Sequence, residues 1–268
     1  MKRPAVRFAL AVLITLASAA WQRLSGPTHP ARGHVVLGGE EIRLRLTRSH
    51  GGAGDQPVRV DARDAAVAGT VAFRRYPTND AWAFLPMVRE GSALAAALPH
   101  QPPAGKLEYQ VRLSRGAETV LFPPRPAVTR FKGDVSASIL IPHVAAMFLA
   151  MLVSTTAGLA ALTPGAPVRR LTLVTLALIV AGGFVLGPIV QKAAFGEYWT
   201  GVPWGWDLTD NKTLVAGAFW LAALLRQRAG NDARTAVALA ALATLVVFVI
   251  PHSTWGSEID WAAQAKAG

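Results

Sequence analysis

ILIPHVAAMFLAMLVSTTAGLAAL, residues 139–162, contains no Asp, Glu, Lys or Arg. A soluble core does not need an uncharged run of this length, whereas a bilayer span needs about 18 or more consecutive apolar residues. Three more apolar segments follow at 171–190, 213–225 and 235–250. The third reaches span length only if its helix starts near 207–210, which sets polar residues at the membrane lip. Residues 136–268 are therefore expected to form an α-helical transmembrane bundle of four helices.

The half of the chain before this run reads differently. A basic start (Lys2, Arg3, Arg7) precedes an apolar run over 8–20, with Ala17-Ser18-Ala19 as a small-residue cleavage motif. Residues 1–20 are thus expected to be a signal peptide or an N-terminal anchor, and either delivers the next segment outside the cytoplasm. Over 32–130 the hydrophobic period becomes two. Glu41-Ile42-Arg43-Leu44-Arg45-Leu46 and Leu107-Glu108-Tyr109-Gln110-Val111-Arg112-Leu113 alternate, with turn residues such as Gly51-Gly52 and Pro102-Pro103 between such runs. Half-buried strands separated by turns predict an all-β, immunoglobulin-like sandwich, a module suited to docking an extracytoplasmic protein partner. Pro123-Pro124-Arg125-Pro126 then reads as a stiff linker.

Composition narrows the function. The chain has 268 residues, a formal charge of +11 and 52% hydrophobic residues, with a mean hydropathy of +0.33. Its arginines are scattered or sit between apolar runs, and no stretch interleaves bases with aromatics as nucleic-acid binders do. With no cysteine, disulfides, thiolate metal sites and covalently attached c-type haem are excluded. Arg169-Arg170 lie between the first two apolar segments, and Arg226, Arg228 and Arg234 between the last two. The positive-inside rule makes both loops cytoplasmic. The β-domain, the loop 191–211 and the C-terminus are then expected on the outer side of a bacterial-type cytoplasmic membrane.

Two of the six histidines adjoin the apolar segments, each in the tripeptide Ile-Pro-His: Ile141-Pro142-His143 at the start of the first and Ile250-Pro251-His252 at the end of the last. The deduced topology puts both at the outer boundary. Between them in sequence lies Tyr198-Trp199-Thr200-Gly201-Val202-Pro203-Trp204-Gly205-Trp206-Asp207, followed by Asp210 and Lys212. Interfacial histidines commonly bond helix-end backbone, tryptophans form membrane belts, and Thr209 or Asp210 suits a helix cap. An aromatic shelf between two histidines is also suited to hold a flat hydrophobic macrocycle, with the imidazoles as axial ligands.

Trp204-Gly205-Trp206-Asp207, with Asp210 and an apolar helix containing Trp220, resembles the tryptophan-rich "WWD" segment of haem-handling membrane proteins in cytochrome c biogenesis. The resemblance covers roughly residues 141–252. It implies haem b at the outer face, with His143 and His252 as ligands and Trp199, Trp204, Trp206 and Asp207 lining the site. That family usually has more spans, and some members carry further histidines deeper in the membrane. None is found here, so haem transport across the bilayer is not implied.

Two other readings remain open. His143, His252, Asp210 and Glu258 are the side-chain types that bind a transition metal ion, which would make a metal-binding enzyme or metal-handling protein. Alternatively the chain is a non-catalytic assembly subunit. His143, Met147 and Met151 share a helix face, which suits either a Cu(I) path or core packing.

Overall fold

The computed structural model describes residues 3–229, 233–252, 256, 259 and 261. The chain divides into two compact units, one of Met1–Pro27 with Val135–Ser257 and the other of Thr28–Asp134 with Glu258–Gly268.

The second unit is β-sandwich-like. Its strands are β1 (Ala31–Leu37), β2 (Glu40–Leu46), β3 (Ser49–Gly51), β4 (Gln56–Asp61), β5 (Ala68–Arg75), β6 (Ala83–Pro86), β7 (Val88–Glu90), β8 (Ala93–Leu98), β9 (Lys106–Arg115) and β10 (Glu118–Lys132). They form a β1-β2 hairpin, a five-stranded sheet ordered β3-β10-β9-β5-β6 and a three-stranded sheet ordered β4-β8-β7. The alternation in β2 sets its faces: Ile42, Leu44 and Leu46 are buried while Glu41, Arg43 and Arg45 are exposed. They join Val58, Val60, Leu98, Leu107, Val111 and Phe131 in one core, each such residue worth about 1.5–3 kcal/mol of burial. A polar chain crosses this core. The Tyr109 hydroxyl donates to the Thr47 carbonyl at 2.6 Å, and the Thr129 hydroxyl donates to Gln56 Oε1 at 2.6 Å.

Pro123-Pro124-Arg125-Pro126 is not a linker. It lies inside β10, where pairing with β9 breaks between Phe122 and Ala127. Prolines lack the ladder N–H, so a strand keeps them only at an edge or a bulge. At the far end of the chain, Trp261 belongs to this unit, its indole N–H donating to the Tyr76 carbonyl at 3.4 Å.

The first unit is helical: α1 (Pro4–Ser25), α2 (Ala137–Ala161), α3 (Arg169–Ile179), a π-helical stretch (Val180–Leu186), α4 (Gly187–Phe195), α5 (Leu208–Arg228) and α6 (Arg234–Val249). Among the described residues, three helical segments are long and apolar enough to cross a membrane: Pro4–Ser25, Ala137–Ala161 and Arg169–Phe195. The shorter Arg234–Val249 is also apolar. Residues 4–25 are thus one long helix, and it packs against α2 and α6. Gln22 of α1 donates to the Phe248 carbonyl at 2.7 Å.

Small residues let these helices approach, as membrane helices require. A Cβ on Gly158 would stand 2.6 Å from the Ala241 side chain. The fully buried Trp220 belongs to this core and donates its indole N–H to Thr244 Oγ1 at 2.8 Å. Arg234 donates to the carbonyls of Ala161 and Ala166 at 3.0 Å each, closing the C-terminal end of α2. The wide π turn also has a local cause. Pro188 supplies no N–H and would clash with the carbonyl of Phe184 in a regular helix.

Candidate functional site: an interhelical cavity with two histidines

A cavity of about 410 Å³ opens inside the helical unit, lined from α1, α2, the end of α3, the π-helical stretch, α4, α5, α6 and the chain just beyond α6. The volume lies within the roughly 300–1,000 Å³ of small-molecule sites. Its walls include Val144, Met147, Phe148, Ile179 and Phe248, and its polar groups include Thr15, Gln22, His143, Gln191, Asp207, Lys212 and His252. Both sequence-predicted histidines therefore face one space. Pro142 does not start its helix. Ser136 caps α2 and accepts from Ser138 N, so Pro142 lies in the second turn. Pro251 does follow a helix end, two residues past Val249.

Hydrogen-bond partners assign the two imidazoles different roles. His143 Nδ1 lies 2.9 Å from the Gly182 carbonyl in the π-helical stretch. A carbonyl only accepts, so Nδ1 carries the proton and Nε2 keeps its lone pair. An anchored Nδ1–H with a free Nε2 is the usual arrangement behind a metal-ligating histidine. At His252, Nδ1 lies 3.2 Å from Gln22 Nε2 and 3.3 Å from Lys212 Nζ. An ammonium only donates. The Gln22 amide nitrogen is identified by the Phe248 carbonyl at 2.7 Å, which takes one of its two hydrogens and leaves the other for His252. His252 Nδ1 is therefore the acceptor and Nε2 carries the proton.

His252 is exposed and also lines the cavity. Its ring is nevertheless packed closely by protein. That burial, then the charges of Lys212 and His143, hold its pKa down to about 4, against the pull of Asp207.

The loop before α5 is pinned from below. Asp207 is the N-cap, its Oδ1 accepting from Thr209 N at 2.8 Å and Asp210 N at 3.2 Å. Asp210 also lines the cavity, with one of its carboxylate oxygens committed to the loop. Its Oδ2 accepts from Thr200 N at 2.6 Å, Gly201 N at 3.0 Å and Gln191 Nε2 at 3.0 Å. Glu258, the other carboxylate expected as a ligand, lies outside the described residues. Among those residues no group of three His, Cys, Asp or Glu is placed to hold a metal ion. Met147 packs on Gly182 and Gly183, and Met151 is buried in the helical core.

The tryptophan shelf differs from expectation. Trp204 and Trp206 are 78% and 85% exposed and do not line the cavity. The turn that carries them closes through Trp204 N and Gly205 N on the Gly201 carbonyl, both at 2.9 Å. Trp199 stacks on Phe184 at 5.9 Å between centroids and also stays outside the cavity lining.

Four contributors escaped the sequence reading: Thr15 and Gln22 on α1, the Gly182 carbonyl and Gly256. Thr15 falls in the run expected as a targeting segment and Gln22 just beyond it, where neither pattern nor spacing marks them. At Gly256, φ is +95° and a Cβ would stand 2.7 Å from Asp207 Cα, so only glycine fits against the α5 cap. No protein-family model, curated protein or solved structure matches the chain.

Proposed function

We propose that this chain is an integral membrane protein that binds haem b in the interhelical cavity, where His143 would hold the iron, and acts in haem handling or electron transfer. The observation that carries the reading is His143, whose Nδ1–H is tied to the Gly182 carbonyl while Nε2 is left free beside an apolar cavity. Bound there, haem would supply an iron centre for electron transfer or ligand binding. The chain's own part is to hold that iron through His143, to exclude water with Val144, Phe148 and Phe248, and to set the protons on both histidines. The partial resemblance of Trp204-Gly205-Trp206-Asp207 to haem-handling proteins agrees in sequence order. The exposed position of Trp204 and Trp206 reserves them for the bilayer surface or a haem-receiving protein.

The proposed topology puts the β unit, the loop 191–211 and His252 on the outer side of the membrane. Arg169 and Arg170 open α3, and Arg226 and Arg228 end α5, so basic residues flank both short helix connections, which supports it. Trp261 donates its indole N–H to the Tyr76 carbonyl, within the β unit. We further read the β unit as immunoglobulin-like and as the surface that docks an extracytoplasmic partner, and the helical unit as a bundle with α1 retained. The test is an absorption titration of the full-length protein, purified in mild detergent, with haemin. A saturable Soret band at one haem per chain is expected. Bound metal without a Soret band, or no uptake at all, would remove the haem assignment.

A further inference from the structure

We infer that His252 serves this site as a hydrogen-bond donor and not as a second axial ligand, so that iron held by His143 keeps one coordination position open to a small exogenous ligand. The inference rests on the haem reading above and narrows it. A chain that only passes electrons is best served by two imidazoles on iron. A chain that binds a small ligand needs one imidazole and one donor.

The asymmetry is built from backbone and side chains on several helices. His143 meets a pure acceptor, the Gly182 carbonyl at 2.9 Å, and therefore turns an unprotonated nitrogen to the cavity. His252 meets two pure donors, Gln22 Nε2 at 3.2 Å and Lys212 Nζ at 3.3 Å, and therefore turns an N–H. Neither donor is free to swing away. The Gln22 amide also holds the Phe248 carbonyl at 2.7 Å, and the Lys212 ammonium holds the Ile250 carbonyl at 2.8 Å. For His252 to ligate through Nε2, its proton would have to move to Nδ1 and face the ammonium. For it to ligate through Nδ1, both donors would have to leave.

A second polar group at the same cavity is unsatisfied. Thr15 lines it, is 6% exposed, and its hydroxyl has no hydrogen-bond partner. Buried hydroxyls without partners are uncommon in folded proteins and point to an absent water or ligand. The class of ligand is accordingly a small molecule that coordinates iron and accepts a hydrogen bond.

The experiment uses the full-length protein loaded with haemin, observed by optical and electron paramagnetic resonance spectroscopy. Wild type is expected to be high-spin in the ferric state, to turn low-spin on adding azide, and to bind carbon monoxide after reduction with dithionite. His252→Ala should still take up haem and remain high-spin, with azide bound roughly tenfold more weakly, the loss of one hydrogen bond to a charged ligand. His252→Gln, which keeps an N–H donor, should recover part of that loss. A low-spin wild type that becomes high-spin in His252→Ala would overturn the donor role and leave haem binding standing. Unchanged azide affinity in His252→Ala would also overturn it. Failure of wild type to take up haem would remove the underlying reading and this inference together.

Discussion

The Lys212 ammonium donates to the main-chain carbonyl of Ile250 at 2.8 Å, tying the N-terminal part of α5 to the end of α6. It also approaches the Pro251 carbonyl at 3.4 Å. A helix end leaves its last carbonyls without partners, and a cation satisfies them best. Lys212→Met should therefore lower the stability of the helical unit by about 2 kcal/mol, the scale of hydrogen bonds to charged groups. Thermal unfolding in detergent measures it. The same variant removes one of the donors that hold the His252 tautomer, so its haem complex should gain a low-spin fraction absent from wild type.

Asp210 is a brace for the loop. Its Oδ2 collects Thr200 N, Gly201 N and Gln191 Nε2. In Asp210→Ala those N–H groups lose an ionised acceptor at a cost of about 3 kcal/mol. Limited proteolysis should cut between Trp199 and Asp207 several-fold faster than in wild type. Haem should still bind, because His143 is anchored elsewhere. An unchanged cleavage rate would mean the loop is held by other contacts.

Trp204 and Trp206 are exposed and outside the cavity lining. Replacing both by Ala should leave haem affinity within about twofold, since surface substitutions away from a site seldom shift energies beyond ~0.5 kcal/mol. A large loss of haem would return them to the binding site, as the resemblance implied.

How much of this was legible follows from which signals are local. The period-two alternation of Glu41 to Leu46 encodes a strand face, and the uncharged run at 139–162 encodes a membrane helix. Both can be read because one residue's neighbours decide its fate. The Ile-Pro-His pair was also visible, as two rare polar residues beside apolar runs. The tautomers were not, because they depend on Gly182, Gln22 and Lys212, which are distant in sequence and meet only when the helices pack. The prolines at 123–126 misled for a related reason. Proline clusters favour linkers locally, but β9 carries them past as a bulge, with the Gln110 side chain donating to the Pro123 carbonyl at 2.6 Å. The role of α1 was hidden by its signal-like start, although Gln22 is a costly residue to keep in an apolar helix unless something bonds it.

In the β unit, Tyr109 is fully buried and its hydroxyl donates to the Thr47 carbonyl at 2.6 Å. Tyr109→Phe keeps the ring but strips that carbonyl and the nearby Gln56 amide of a partner. Denaturant unfolding should show a loss of about 1–2 kcal/mol. Haem spectra should not change, since the residue lies in the other unit.

His143 carries the functional proposal, and its side chain can be removed and then supplied from solution. The measurement is haem affinity of full-length wild type and His143→Ala, each with and without free imidazole. Loss of the side chain should weaken haem binding at least ~100-fold, since it removes the metal ligand itself and ligand-orienting groups alone are worth 10–100-fold. Added imidazole, entering the space left beside Gly182, should restore a wild-type-like Soret band. Equal haem affinity in His143→Ala and wild type, with no response to imidazole, would contradict the assignment of His143 as the iron ligand.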